Sequence, residues 1–281
     1  MMRLAVIAAL LVLACGGCAH QPPPNLYADE QRKRIVSLAP SLTEDLFAIG
    51  AGGQVVGTSA YSTYPPAARK LPVVDAASWI NVERIVGMHP DFVVGLASDA
   101  ARTRTLVRAK IPAFLMKDDG YQDIYANLDE LGVLTGRLDA AGKVVQRVRA
   151  RVEELKRRSA AFHVHPRLFF VLDVAPIFTV GRGSYLDTLM TMAGGVNLVT
   201  STIAYPNFSA ERLLAEQPDA LIVANDVRLK PLLSHAPWSE LRAVREGRVY
   251  TVPPNLGLEV PGPRVTDGLA WLVGVVERLQ R

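Results

Sequence analysis

The chain is 281 residues long, 49% hydrophobic and 21% charged, with a formal net charge of +4. That length exceeds one small core and suits two lobes of roughly 100–130 residues each, and the composition is globular. The positive charge is local, from Lys143, Arg147, Arg149, Arg151, Lys156, Arg157 and Arg158 against Glu153 and Glu154. A nucleic-acid surface needs aromatics or polar base readers among its cations. This stretch has no aromatic, so it reads as a solvated helix face.

The first residues form a targeting segment. Arg3 is a short positive start, and Leu4 to Ala14 is an apolar run. The run is too short to span a bilayer and right for a signal h-region. Cys15 and Cys18, the only cysteines, follow at once. The pattern resembles a bacterial lipoprotein signal, whose lipidated cysteine becomes the first mature residue. Val12, Leu13 and Ala14 fit that pattern before Cys15; Gly16 and Gly17 fit it less well before Cys18, and both cysteines stay open. A metal or redox C-x-x-C would need a second ligand cluster, and none follows. Residues 1–18 are therefore signal and lipobox. Residues 19–33, with Pro22, Pro23 and Pro24, read as a tether.

The folded part begins near Arg34. Ile35 to Leu38 is a strand candidate. Ser41-Leu-Thr-Glu44 has capping-box spacing, and the helix after it buries Leu42, Leu46, Phe47 and Ile49 before stopping at Gly50. Val55 to Thr58 is a second strand, followed by a Tyr- and Pro-rich loop, Ser59 to Pro72. Asn81 caps a helix over Val82 to Met88, and Pro90-Asp91 leads into strand Phe92 to Gly95. A helix near Ala101 to Lys110 and a strand Ala113 to Met116 complete an N-terminal lobe, residues 34–138. Such β-α alternation implies a parallel sheet covered by helices.

Ala140 to Ala161 is the longest helical pattern. Ala141, Val144, Val145, Val148, Val152 and Leu155 fall on one face. It reads as a stiff connecting helix, residues 139–162. The second half, residues 163–281, restarts the alternation: strand Arg167 to Asp173, helix Asp187 to Ala193, helix Ser209 to Ala215, strands Leu221 to Ala224 and Val249 to Val252, and a closing helix Thr266 to Gln280. A repeat joins the halves. N-V-E-R-I-V-G-M-H-P-D from Asn81 and S-A-E-R-L-L-A-E-Q-P-D from Ser209 share a cap, Glu-Arg, an aliphatic pair and Pro-Asp. The expected fold is thus α/β: two similar lobes with parallel sheets, one long connecting helix, and a ligand cleft between them.

No catalytic site stands out. There is no G-x-S-x-G, P-loop or dinucleotide fingerprint. None of His20, His89, His163, His165 and His235 forms a helical ligand pair, so no metal site is expected. Gly181-Arg182-Gly183-Ser184 fits no phosphate motif and reads as a turn. What stands out is aromatic residues in loops: Tyr61, Tyr64, Trp79 and Tyr205. Rings at the C-terminal ends of parallel strands suit a crevice for a large flat ligand.

With R-I-V-S-L-A-P-S-L-T-E (Arg34 to Glu44), G-T-S-A-Y-S-T-Y-P-P (Gly57 to Pro66) and the two Glu-Arg repeats, the chain resembles the substrate-binding proteins of ABC importers for iron chelates and cobalamin. The resemblance covers Arg34 to Arg281. It implies capture of cobalamin or a related corrinoid as transported ligand, with no cofactor and no catalysis. It also implies delivery to an ABC permease dimer, in the periplasm and tied to the membrane by a lipid anchor. Tyr-Ser-x-Tyr-Pro-Pro is the segment more typical of the cobalamin binders. By that resemblance Tyr61 stacks on the corrin, Tyr205 stands where the family has a cleft tryptophan, and Asn255 to Arg264, with Gly257, Leu258 and Glu259, is a ligand-contacting loop. Glu83 and Glu211 match the glutamates that pair with permease arginines. The family's C-lobe disulfide is missing, its Trp-Phe-Glu-Arg is replaced by Leu256-Gly257-Leu258-Glu259, and its first-lobe tryptophan is shifted to Trp79. The ligand alternatives are haem, through a tyrosinate at Tyr61 or Tyr64, and a ferric siderophore. A periplasmic sensor or scaffold on the same fold is the competing class.

Overall fold

The structure is a computed structural model that describes residues 33–76, 79–224, 227–254 and 256–281. The signal, Cys15, Cys18, His20, nearly all of the tether and Asn255 lie outside these residues. Within the described residues no helix is long and apolar enough to cross a membrane.

The first half runs β1 (Ile35–Ser37), α1 (Pro40–Ala48), β2 (Val55–Thr58), β3 (Asp75–Ala76), β4 (Trp79–Ile80), α2 (Val82–Gly87), β5 (Phe92–Leu96), α3 (Ala100–Arg108), β6 (Ala113–Met116) and α4 (Asp123–Thr135). Strands β2-β1-β5-β6 form one parallel sheet, and β3 and β4 a small antiparallel pair. After α5 (Leu138–Ser159), the second half runs β7 (Arg167–Val171), β8 (Asp173–Val174), β9 (Ile177–Phe178), α6 (Tyr185–Met192), β10 (Val196–Asn197), α7 (Ala210–Glu216), β11 (Ala220–Val223), α8 (Arg242–Arg245), β12 (Val249–Thr251) and α9 (Val265–Arg278). Its sheet, β10-β7-β11-β12, is parallel with the same order of crossovers. In both sheets the chain leaves the first strand for one neighbour and later returns to its other side. That reversal opens a crevice at the C-terminal ends of the strands.

The repeat extends further than Glu-Arg and Pro-Asp. Asn81 and Ser209 accept the Arg84 and Arg212 amides and cap α2 and α7. Past the end of each helix the chain turns at a residue with positive φ: His89 at 49°, after the Met88 cap, and Gln217 at 46°, at the cap itself. Arg34, just before β1, donates its guanidinium to the Met88 and His89 carbonyls, and its amide to Asp91 at 2.7 Å. Arg167 does the same to Glu216, Gln217 and Asp219. These arginines satisfy helix-end carbonyls that would otherwise lack donors. The His89 side chain is exposed.

The connecting helix is α5, two or three residues earlier at its end than the periodicity implies. All six of its expected core positions are buried. It packs on α4 of the first half and on α9 of the second, inside one apolar cluster that runs from Leu42 and Leu128 to Phe170 and Leu272. Gly132 of α4 lets this crossing close up, because a Cβ there would lie 2.7 Å from the Ala141 Cβ. Ser159 at the end of α5 donates to the Met192 carbonyl of α6 at 2.6 Å.

Two local expectations are corrected. Ser41 does not cap α1: the helix starts at Pro40 with Ala39 at the cap position and no side-chain cap. Proline is pre-organised for the first helical position, so it takes the start, and Glu44 is free to face the other lobe. The strand read over Arg167 to Asp173 breaks at Leu172, and Asp173 begins the antiparallel pair of β8 with β9.

A candidate ligand cleft between the lobes

Ser37, Thr43, Thr58 and Ser62 share one buried hydroxyl network. The Thr43 Oγ1 lies 2.9 Å from the Ser37 and Ser62 hydroxyls, 3.1 Å from that of Thr58, and donates to the Ala39 carbonyl. It ties α1, β1 and β2 to the loop that follows β2. Asp75 accepts the Ala60 amide at 2.8 Å from the other side. Burial pushes the Asp75 carboxyl up, against the Ala60 amide and Arg102. Held at both ends, the loop projects Tyr61 into solvent with 63% of its surface exposed.

Tyr61 is one wall of a cleft of about 170 Å³. Pro40, Glu44, Tyr61 and Thr63 line it from the first lobe; Val252, Leu256, Gly257, Leu258, Glu259 and Arg264 are among those lining it from the second. The structure therefore brings Tyr61 together with Gly257, Leu258 and Glu259. Tyr64 is next door rather than inside. It lines an adjoining pocket with Phe47, Pro263 and Asp267, and its ring lies under the Arg264 guanidinium at 3.7 Å. Trp79 stands 56% exposed on β4 and is not among the lining residues.

Tyr205 follows β10 and lines a hollow with Ile203, Pro206, Phe208 and Arg212. Burial, and then the Asp118 carboxylate of the first lobe, push its phenol up. Asp118 lies just past β6, so Tyr205 faces the first lobe. Behind it, buried Tyr185 of α6 is pushed up by burial, then by Glu44 and Tyr205.

The floor contains groups that sequence reasoning missed. Arg264 of the second lobe grips Glu44 of α1 with two donors: Nε to Oε2 at 2.8 Å and Nη2 to Oε1. Burial nevertheless pushes the Glu44 carboxyl up, against the pull of Arg264. Asp45 beside it is fully buried, and neither of its carboxyl oxygens has a hydrogen-bond partner among the described residues. Burial, then the Glu44 charge, hold the Asp45 carboxyl well above its ordinary range. No local pattern could have shown this floor, because its partners come from opposite ends of the chain.

Glu83 and Glu211 are at the second position of α2 and α7, both exposed. Neither forms an ion pair among the described residues, whereas neighbouring Arg212 pairs with Glu216. They are thus not needed to balance a local charge. No group of three or more metal-ligating side chains occurs among the described residues.

Two parallel sheets with matching crossovers, a rigid helix behind them and a cleft lined from both define a two-lobed binding protein. The chain belongs to the periplasmic binding protein family, whose model matches residues 35–256. The vitamin B12-binding protein of Salmonella paratyphi A is 33% identical, with 78% of each chain covered. The solved periplasmic vitamin B12 binding protein of Vibrio cholerae superposes with a TM-score of 0.77 at 26% identity, over 89% of this chain and 98% of that one. A periplasmic heme binding protein from Pseudomonas aeruginosa superposes with a TM-score of 0.78 at 26% identity, over 86% and 91%. These are binding proteins and not enzymes.

Proposed function

We propose that this chain is the substrate-binding component of an ABC importer, capturing cobalamin or a related corrinoid in the cleft and delivering it to a permease dimer. The observation that carries the reading is the cleft itself, with the projecting Tyr61 ring on one wall and the Leu256 to Arg264 loop on the other. A flat ligand would stack on Tyr61 and reach towards Tyr205, both left uncovered by the fold. Glu83 and Glu211, one on each lobe, would form a two-point grip on permease arginines. Lipidation at Cys15 or Cys18 would hold the protein at the membrane in the periplasm, with residues 19–33 as tether. Residues 34–138 and 163–281 would be the lobes on either side of the connecting helix.

Haem is the second reading, supported by the exposed phenol of Tyr61. The test is to mix purified protein with cyanocobalamin, with haem, or with a ferric chelate, and then desalt. Retained corrinoid absorbance at one ligand per chain is the expected result. Retention of haem alone would move the assignment to the second reading.

A further inference from the structure

The loop on the second-lobe wall of the cleft is folded around a side chain that the first lobe holds. Arg264 keeps 13% of its side-chain surface and Glu44 only 4%. Glu44 on α1 takes two guanidinium donors, a fork geometry that fixes direction as well as distance. Tyr64, in the loop after β2, lies flat beneath the same group. On the loop side, Gly257 rests directly on Arg264. Its φ is +83°, and a Cβ there would lie 2.7 Å from the Arg264 Cβ and 3.3 Å from Nε. Leu258 continues the contact inward, packed where a Cβ on Gly268 of α9 would meet it at 2.7 Å. One side chain thus joins α1, the Tyr64 loop and the ligand loop.

A buried ion pair is weak evidence for stability, since desolvation offsets most of its attraction. Its fixed geometry is the better account here. We propose that Arg264 is a positioning residue: gripped by Glu44 and Tyr64, it sets the Leu256 to Val260 wall in its ligand-competent place before ligand arrives. The inference rests on the cleft reading above. A wall already in place spares the ligand the cost of ordering it. A wall released from the grip would be competent only part of the time, and apparent affinity would fall by that fraction.

Two conservative variants test this. Arg264→Lys keeps the charge but loses the fork and the flat stack. Glu44→Gln keeps the shape but loses the charge. Each is measured by calorimetry with cyanocobalamin, and by amide hydrogen exchange without ligand. If either variant leaves the wall competent a tenth of the time, affinity falls about tenfold. Exchange should quicken only over 256–264, and the double variant should be no worse than the weaker single one. Unchanged affinity and exchange would overturn the proposal and leave a plain structural pair. Weakened binding in Arg264→Lys with normal binding in Glu44→Gln would also overturn it, by making Arg264 a direct ligand contact. So would faster exchange throughout both sheets, which marks general destabilisation. If the unaltered protein binds no corrinoid, the cleft reading fails, while the exchange measurement still decides whether Arg264 positions the loop.

Discussion

Tyr61→Ala separates binding from folding. Its ring is 63% exposed, so truncation should change stability by no more than about 0.5 kcal/mol. A ligand stacked on it would cover most of that surface. With roughly 200 Å² for an aromatic side chain, this amounts to about 120 Å². At about 25 cal/mol per Å² the burial is worth at most ~3 kcal/mol, less what the shorter side chain retains and what ordering the ring costs. Stacking geometry adds roughly 0.5–1.5 kcal/mol. The net expectation is a loss of about 1.5–3 kcal/mol, or roughly ten- to a hundredfold in Kd. Calorimetric titration with cyanocobalamin reads the loss, and a thermal melt checks the fold. Affinity within about twofold of the unaltered protein would refute the stacking argument. A melting temperature lowered by more than about 4 °C would show that the ring belongs to the fold instead.

Glu83→Ala with Glu211→Ala should abolish uptake and permease binding, at roughly 2–5 kcal/mol per lost buried interfacial pair, while ligand affinity and melting stay put; normal uptake would leave the pair as helix-terminus acids. Mass spectrometry of membrane-extracted protein should find an acylated N-terminus at Cys15 or Cys18, and an unmodified N-terminus with full release in buffer would rule the anchor out. Gly181→Ala should lift the Tyr205 loop, because the new Cβ would sit 1.8 Å from the Ile203 carbonyl oxygen; a loss of about 1–3 kcal/mol in urea melts is expected, and an unchanged midpoint would contradict that contact. Asp45 carries the pH dependence. Its folded carboxyl stays protonated above the ordinary range, so its contribution is complete at acid pH and is lost as pH rises towards the folded value. Asp45→Asn should therefore flatten the stability profile above that ordinary range, by up to about 1.4 kcal/mol per pH unit, and leave acid-side stability nearly unchanged. A variant profile parallel to the original would mean that Asp45 is already paired.

The Glu-Arg repeat carried most of the architecture, because each part of it acts locally. A cap, an aliphatic pair facing the sheet and a Pro-Asp turn into a strand are all set within a dozen residues. Their recurrence gave the two lobes, and α5 followed from a single apolar face. Helix α4 was missed although its signal was present: Ile124, Leu128 and Leu131 share a face, and Gly136 ends the helix with φ 68°. The capping-box reading at Ser41 failed. Its spacing was right, but the adjacent Pro40 could begin the helix one position earlier.

The cleft was legible only in part, and the division follows sequence separation. Tyr61 stood out as an aromatic residue in a loop, and the loop Asn255 to Arg264 through the family resemblance alone. The grip of Arg264 on Glu44 spans 220 residues, and the sequence places Glu44 in a capping-box pattern and Arg264 at the end of a loop, with nothing local to join them. Nothing in the sequence around Asp45 marks it as buried. Only in the fold does it become a buried carboxyl with no hydrogen-bond partner among the described residues. Local rules thus build the walls of the cleft, while its floor depends on pairs that meet only after the lobes have come together. The same division bears on mechanism. The exposed ring of Tyr61 can change without disturbing α1, whereas a change at Glu44 acts on both lobes at once.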